Sequence, residues 1–170
     1  MRIAGLAVIA SLALAAAGCG GGGSGAYGGG GGGSSAPKPA SGVAQVSSSD
    51  SAALGQILVD GSGRTLYMFA KDAGPASTCN GACAKNWPPL TTKSAPKVSG
   101  GVAGAAVKTT KRGDGNLQVT FQGHPLYYFS GDHSAGDANG QGVNEFGARW
   151  FALSPSGSHA KSIPQPSGGY

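Results

Sequence analysis

The sequence predicts a mainly β protein: one compact antiparallel domain built from two tandem motif-bearing repeats, with a disordered N-terminal tether and a disordered C-terminal tail. Three observations carry this expectation. Between residues 52 and 154 apolar and polar residues alternate in short runs bounded by Gly-rich turns. No segment keeps apolar residues at i, i+3, i+4 and i+7 over three turns, as an amphipathic helix would. And LYMFAKD, Leu66 to Asp72, returns as LYYFSGD, Leu126 to Asp132. A chain of 170 residues with only 11% charged residues, and with many of its 33 glycines gathered in one tract, has room for one domain and a spacer.

Residues 1–18 read as a signal peptide. Arg2 precedes an apolar run from Ile3 to Ala17 that is too short and too small-sided to span a membrane as a helix. The run ends in AAGC, Ala16 to Cys19, which resembles the lipobox of bacterial lipoproteins, small residues before an acylated cysteine. Cys19 would otherwise be an odd, exposed thiol in an exported chain. A diacylglyceryl cysteine carries enough acyl chain for stable anchoring, so the expected location is extracytoplasmic, on a membrane of the cell envelope. Ordinary signal cleavage after an A-x-A site is the plainer alternative.

Residues 19–51 then form a Gly/Ser/Pro-rich linker with little apolar content to offset the entropy of ordering it. A flexible linker of this length spans roughly 30 Å. Residues 155–170 read as a second loose segment. Between them, strands are expected at Gln56 to Val59 and Thr65 to Phe69, joined by the turn DGSG. A three-strand meander follows with turns at GDGN and QGHP, then a last strand in ARWFALS, while GACAKNW suits one helical turn.

In the first repeat, about 54–90, Tyr67 and Phe69 fall on one face of a strand and Asp72 lies just past its end. The second, about 116–153, places Tyr127, Phe129 and Asp132 identically. Each copy is followed, after a loop, by tryptophan with leucine three residues on: WPPL at Trp87 to Leu90 and WFAL at Trp150 to Leu153. Taken with CNGACAKNWPPL, GDANGQGVNEFGARWFAL and the lipobox, these residues resemble a family of bacterial secreted lipoproteins. That family is defined by a tandem repeat with a Y-x-[FWY]-x-x-D motif, and its molecular function is described as unknown. Two copies are too few for a solenoid or propeller, so the repeats are expected to pair with pseudo-twofold character.

Each feature has two readings. The motif aromatics either fill a core while the aspartates cap the turns that follow, or Asp72 and Asp132 converge on an aromatic-lined cleft. Cys79 and Cys83, four residues apart on one helical turn, bring their Cα atoms to about 6 Å, which suits a disulfide in an exported chain. The sharper alternative is a copper-binding or redox accessory protein that uses this pair with His124 or His133. Haem attachment is excluded because C-x-x-C-H is absent. DANGQG, Asp137 to Gly142, has the spacing of a calcium loop at its start, but the twelfth position is Ala148, so a glycine-rich turn is the better reading.

The formal charge of +5 includes Lys85, Lys93, Lys97, Lys108, Lys111 and Arg112 in a span without acids. That span suits an anionic envelope polymer or a lipid headgroup, or is simply solvated. Nucleic acid is not an expected partner outside the cytoplasm, and RGD at Arg112 to Asp114 reads as a hairpin turn. No nucleophile elbow, H-E-x-x-H or phosphate loop is present, so no enzyme and no cofactor beyond that copper is expected. The resulting expectation is a lipid-anchored envelope lipoprotein that presents a small β domain for binding or structure.

Overall fold

The computed structural model describes residues 42–161; the expected signal peptide, Cys19, the tether as far as residue 41 and the tail beyond 161 lie outside them. The protein is mainly β. Strands β1 (Gln45–Ser51) and β2 (Gly55–Val59) form an antiparallel hairpin, and β3 (Tyr67–Phe69) carries the first motif. The short helix α1 (Ala82–Asn86) and strands β4 (Thr91–Thr92) and β5 (Lys97–Val98) come next. A 3-10 turn (Gly104–Ala106) leads into β6 (Val107–Lys111), β7 (Leu117–Phe121) and β8 (His124–Pro125), and β9 (Asn144–Glu145) and β10 (Ala148–Ala152) complete the order. The sheets run β2-β1-β5, β3-β10-β9 and β4-β7-β6, with β8 also on β7. All of these pairings are antiparallel except β1 with β5.

Turn chemistry sets the hairpins where the sequence places them. Asp60 Oδ1 accepts the N–H groups of Ser62 (2.8 Å) and Arg64 (3.0 Å), closing DGSG as an Asx turn. Between β7 and β8 the two-residue loop Gln122-Gly123 has φ of 48° and 85°, the left-handed pair that a type I′ turn requires. One expected strand is shorter than its apolar run: Thr65 bridges Val59, and regular pairing starts only at Tyr67.

The repeats exchange strands rather than stacking as separate units. Strand β10 of the second repeat pairs with β3 of the first, Trp150 opposite Phe69 and Ala152 opposite Tyr67. Reciprocally, the WPPL segment of the first repeat lies along the second motif. Leu90 N–H donates to the Leu126 carbonyl at 2.9 Å, and Tyr128 N–H to the Pro88 carbonyl at 2.8 Å. The copies differ where proline intervenes. Pro88 and Pro89 have no N–H to donate, so the first crossing is held by an isolated bridge, Pro89 to Tyr127, where the second is a regular strand. At the centre, Tyr67 and Tyr127 exchange two backbone hydrogen bonds of 2.9 Å, the position of the expected pseudo-twofold axis.

The third strand expected of the meander ends early: β8 is only His124–Pro125, and the extended LYYF segment pairs through isolated bridges at Tyr127. Alternation along the two motif segments divides the interior in two. Leu66, Met68, Leu126 and Tyr128 pack with Val46, Leu58, Leu90, Val119, Phe121 and Leu153 on one side. Tyr67, Phe69 and Tyr127 pack with Trp87, Trp150 and both cysteines on the other. Both faces of these segments are therefore buried, which is why they read as LYMF and LYYF instead of alternating apolar with polar.

The folded region also begins and ends outside the expected bounds. Residues 45–51, assigned from sequence to the linker, form β1, because Val46 and Ala44 enter the core and β2 and β5 supply the ladder on either side. Its serines carry no such signal, since pairing and not propensity orders them. The expected tail turns back as well: Ala160 is buried and donates to the Ala152 carbonyl at 2.8 Å, and His159 stacks on Phe151. A chain beginning at residue 52 will accordingly unfold at a lower denaturant midpoint than one beginning at residue 42. Equal midpoints in urea melts would show β1 to be dispensable.

Candidate functional site

Tyrosine in place of phenylalanine at the first motif position brings a hydroxyl into the core, and a buried hydroxyl needs a partner. Neither repeat supplies its own. Tyr67 donates to Asp132 Oδ2 at 2.6 Å, and Tyr127 donates to Asp72 Oδ2 at 2.5 Å. The other oxygen of each carboxylate turns into its own loop. Asp72 Oδ1 accepts from Thr78 N–H (2.8 Å) and Oγ1 (2.7 Å), and Asp132 Oδ1 accepts from Asn139 N–H (2.9 Å). Each aspartate thus caps the turn after its own motif and clasps the tyrosine of the other copy. The two carboxylates do not converge on a shared cleft; they sit 3% and 7% exposed at the two ends of one symmetric arrangement.

Between the clasps lies a four-ring stack. Phe69 stacks on Trp150 (centroids 4.1 Å apart), Trp150 on Trp87 (4.0 Å, 4° between planes) and Trp87 on Phe129 (4.3 Å), so each motif phenylalanine covers the other repeat's tryptophan. Tyr67 and Tyr127 meet Trp87 and Trp150 edge-on at 5.5 and 5.1 Å. Glu145 ties down both indoles: its Oε2 accepts from Trp87 Nε1 (2.9 Å) and Asn86 Nδ2 (2.6 Å), and its carbonyl accepts from Trp150 Nε1 (3.3 Å). Gly140 closes the second loop against this stack. A Cβ there would stand 2.8 Å from Trp87 and 2.9 Å from Tyr67.

The loop of the first repeat is fixed differently. Cys79 and Cys83 form a disulfide, with Cα atoms 5.2 Å apart. Both sulfurs of the copper alternative are therefore bonded to each other. Among the described residues no group of three or more His, Cys, Asp or Glu side chains is placed to hold a metal ion. His124 lies on β8 with a buried Nδ1 that has no hydrogen-bond partner, and His133 is exposed in the second loop. Asp137 accepts from Ser134 and His133 N–H groups, which hold its carboxyl below the usual range and make the start of DANGQG an Asx turn.

Arg112 is the residue the sequence reading misplaced. The RGD stretch is a hairpin turn as expected, with Asp114 accepting Asn116 N–H at 3.0 Å. The Arg112 side chain, however, is buried beneath the disulfide loop. Its Nη1 donates to Ser77 Oγ (2.8 Å) and Gln118 Oε1 (2.6 Å), and its Nη2 to the Cys79 carbonyl (2.8 Å) and Asn80 Oδ1 (3.1 Å). Ser77 Oγ in turn lies 2.7 Å from the Tyr127 hydroxyl, so the guanidinium reaches the clasp through one serine. The sequence signal for this was thin: an arginine opening a hairpin looks solvated until the paired loop is known to cross over it.

A family model described as a secreted repeat of unknown function matches residues 48–91 and again residues 108–154. No curated protein and no solved structure matches the chain.

Removing either tyrosine hydroxyl strands a buried carboxylate oxygen, so Tyr67→Phe and Tyr127→Phe will each cost about 1–3 kcal/mol in chemical denaturation. The Asp132 half also has a pH signature. Burial raises its carboxyl above the usual range, and the Tyr67 hydrogen bond partly opposes this. The folded state therefore holds the proton more tightly than the unfolded chain. The contribution of this group to stability is greatest below the unfolded-state pKa and falls as pH rises through the folded one. Carboxyl carbon shifts in NMR titrations will show Asp132 titrating high, and higher still in Tyr67→Phe; an unmoved midpoint would mean that the bond does not form in solution.

Proposed function

The chain belongs to the family of secreted repeats of unknown function, and from that premise we propose that it is an exported lipoprotein, anchored through Cys19, whose β domain serves binding or structure and not catalysis. The observation that carries this reading is the clasp. All four polar ends of the duplicated motif, the hydroxyls of Tyr67 and Tyr127 and the carboxylates of Asp72 and Asp132, are spent on each other, on backbone N–H groups and on the hydroxyls of Thr78 and Ser77. A motif used this way builds a scaffold, and whatever the domain contacts is met by its outer surface. The anchor follows from AAGC at Ala16 to Cys19, and the Gly/Ser-rich stretch that follows it as far as residue 41 tethers the domain within roughly 25 Å of the bilayer.

Metabolic labelling with an alkyne fatty acid will mark the protein in its host, and Cys19→Ala will abolish the label and release the domain from the membrane fraction. A wild-type protein that carries no label would overturn the anchored reading.

A further inference from the structure

The loop between β9 and β10 is two residues long, with Glu145 opposite Ala148, and its members are Phe146 (φ 57°) and Gly147 (φ 90°). A type I′ turn of this kind strongly favours Asn-Gly. A bulky aromatic in the left-handed region is a steric outlier, and such outliers cluster at functional sites. The equivalent turn between β7 and β8 carries Gln122 there, a polar side chain that folds back to donate to the Ser156 carbonyl. Phe146 is instead 41% exposed, one of two large apolar side chains left open among the described residues.

Its neighbours are cationic. Arg149 is exposed on the outer face of β10, opposite the inward Trp150, and its carbonyl accepts from Ala70 N–H, which sets Lys71 alongside. Lys71 Nζ lies 3.7 Å from where a Cβ on Gly147 would stand. The acid nearest the tip is turned away, because the Glu145 carboxylate faces inward to Trp87 and Asn86. The tip therefore offers one exposed aromatic ring with the Lys71 ammonium against its turn and Arg149 two residues beyond it on β10.

We propose that this tip docks on the anionic lipid surface to which the chain is tethered, with Phe146 entering the headgroup region and Lys71 and Arg149 pairing with lipid phosphates. An aromatic ring suits the interface between headgroups and acyl chains, and cations near an anionic surface add attraction. The proposal rests on the anchored reading, since a flexible tether raises the effective concentration of the surface to the order of millimolar and makes a weak contact sufficient.

The test uses the processed chain purified from membranes and reconstituted into vesicles of phosphatidylcholine, alone or mixed with phosphatidylglycerol. Flotation with neutral vesicles reports the anchor, whereas backbone hydrogen exchange across residues 144–149 reports the tip. Exchange there slows on anionic vesicles and not on neutral ones, and Lys71→Glu and Arg149→Glu each weaken the contact by at least about fivefold. Phe146→Asn suits the turn better, so it raises Tm while abolishing the slowing. Equal exchange on both vesicles overturns the proposal. So does a Phe146→Asn chain that melts lower and still docks, or slowing by soluble polyphosphate equal to that by anionic vesicles. Should the chain fail to float on neutral vesicles, the anchor falls and the tip is judged by the same exchange measurement with vesicles added from outside.

Discussion

Everything in the domain depends on the fact that each repeat buries a tyrosine hydroxyl it cannot satisfy by itself. A buried, unpaired hydroxyl or carboxylate costs more than a hydrogen bond normally gains. Tyr67 with Asp132 and Tyr127 with Asp72 therefore make each repeat the condition for the other. The Trp87 and Trp150 stack then follows geometrically, since the pseudo-twofold that relates the clasps brings the two indoles face to face.

Around this symmetric centre the two loops solve one problem by different chemistry. Both must return the chain over an aspartate so that a backbone N–H can reach it. The first does so with a disulfide and the buried Arg112, whose fork holds Ser77, the Cys79 carbonyl and Asn80 together. The second relies on Gly140, which admits no side chain against Trp87, and on the Asx turn at Asp137.

Much of this was legible in the sequence. Period-two alternation located β2, β6, β7 and β10, and Gly and Asp pairs located their turns. The repeat itself announced the symmetry. The partner of each tyrosine was not legible, because reading LYMFAKD along the chain links Tyr67 to Asp72, whereas the bond crosses 65 residues to Asp132. Strand β1 escaped for a related reason: QVSSSDS has one apolar residue that enters the core, and its order comes from neighbours distant in sequence. Arg112 and Glu145 share this character, since burial of a charged side chain is decided by what folds over it.

The exchange of partners between copies also bears on how the chain reaches its fold. A domain whose central contacts join residues 55 and 65 positions apart has high contact order, and loop closure must precede the reward of those contacts. As the chain is delivered from its N-terminus, the first repeat emerges with Tyr67 and Trp87 still lacking Asp132 and Trp150. Until the second repeat arrives, the first keeps exposed the ring and hydroxyl that Trp150 and Asp132 later cover, while the disulfide of its loop joins residues that both belong to it.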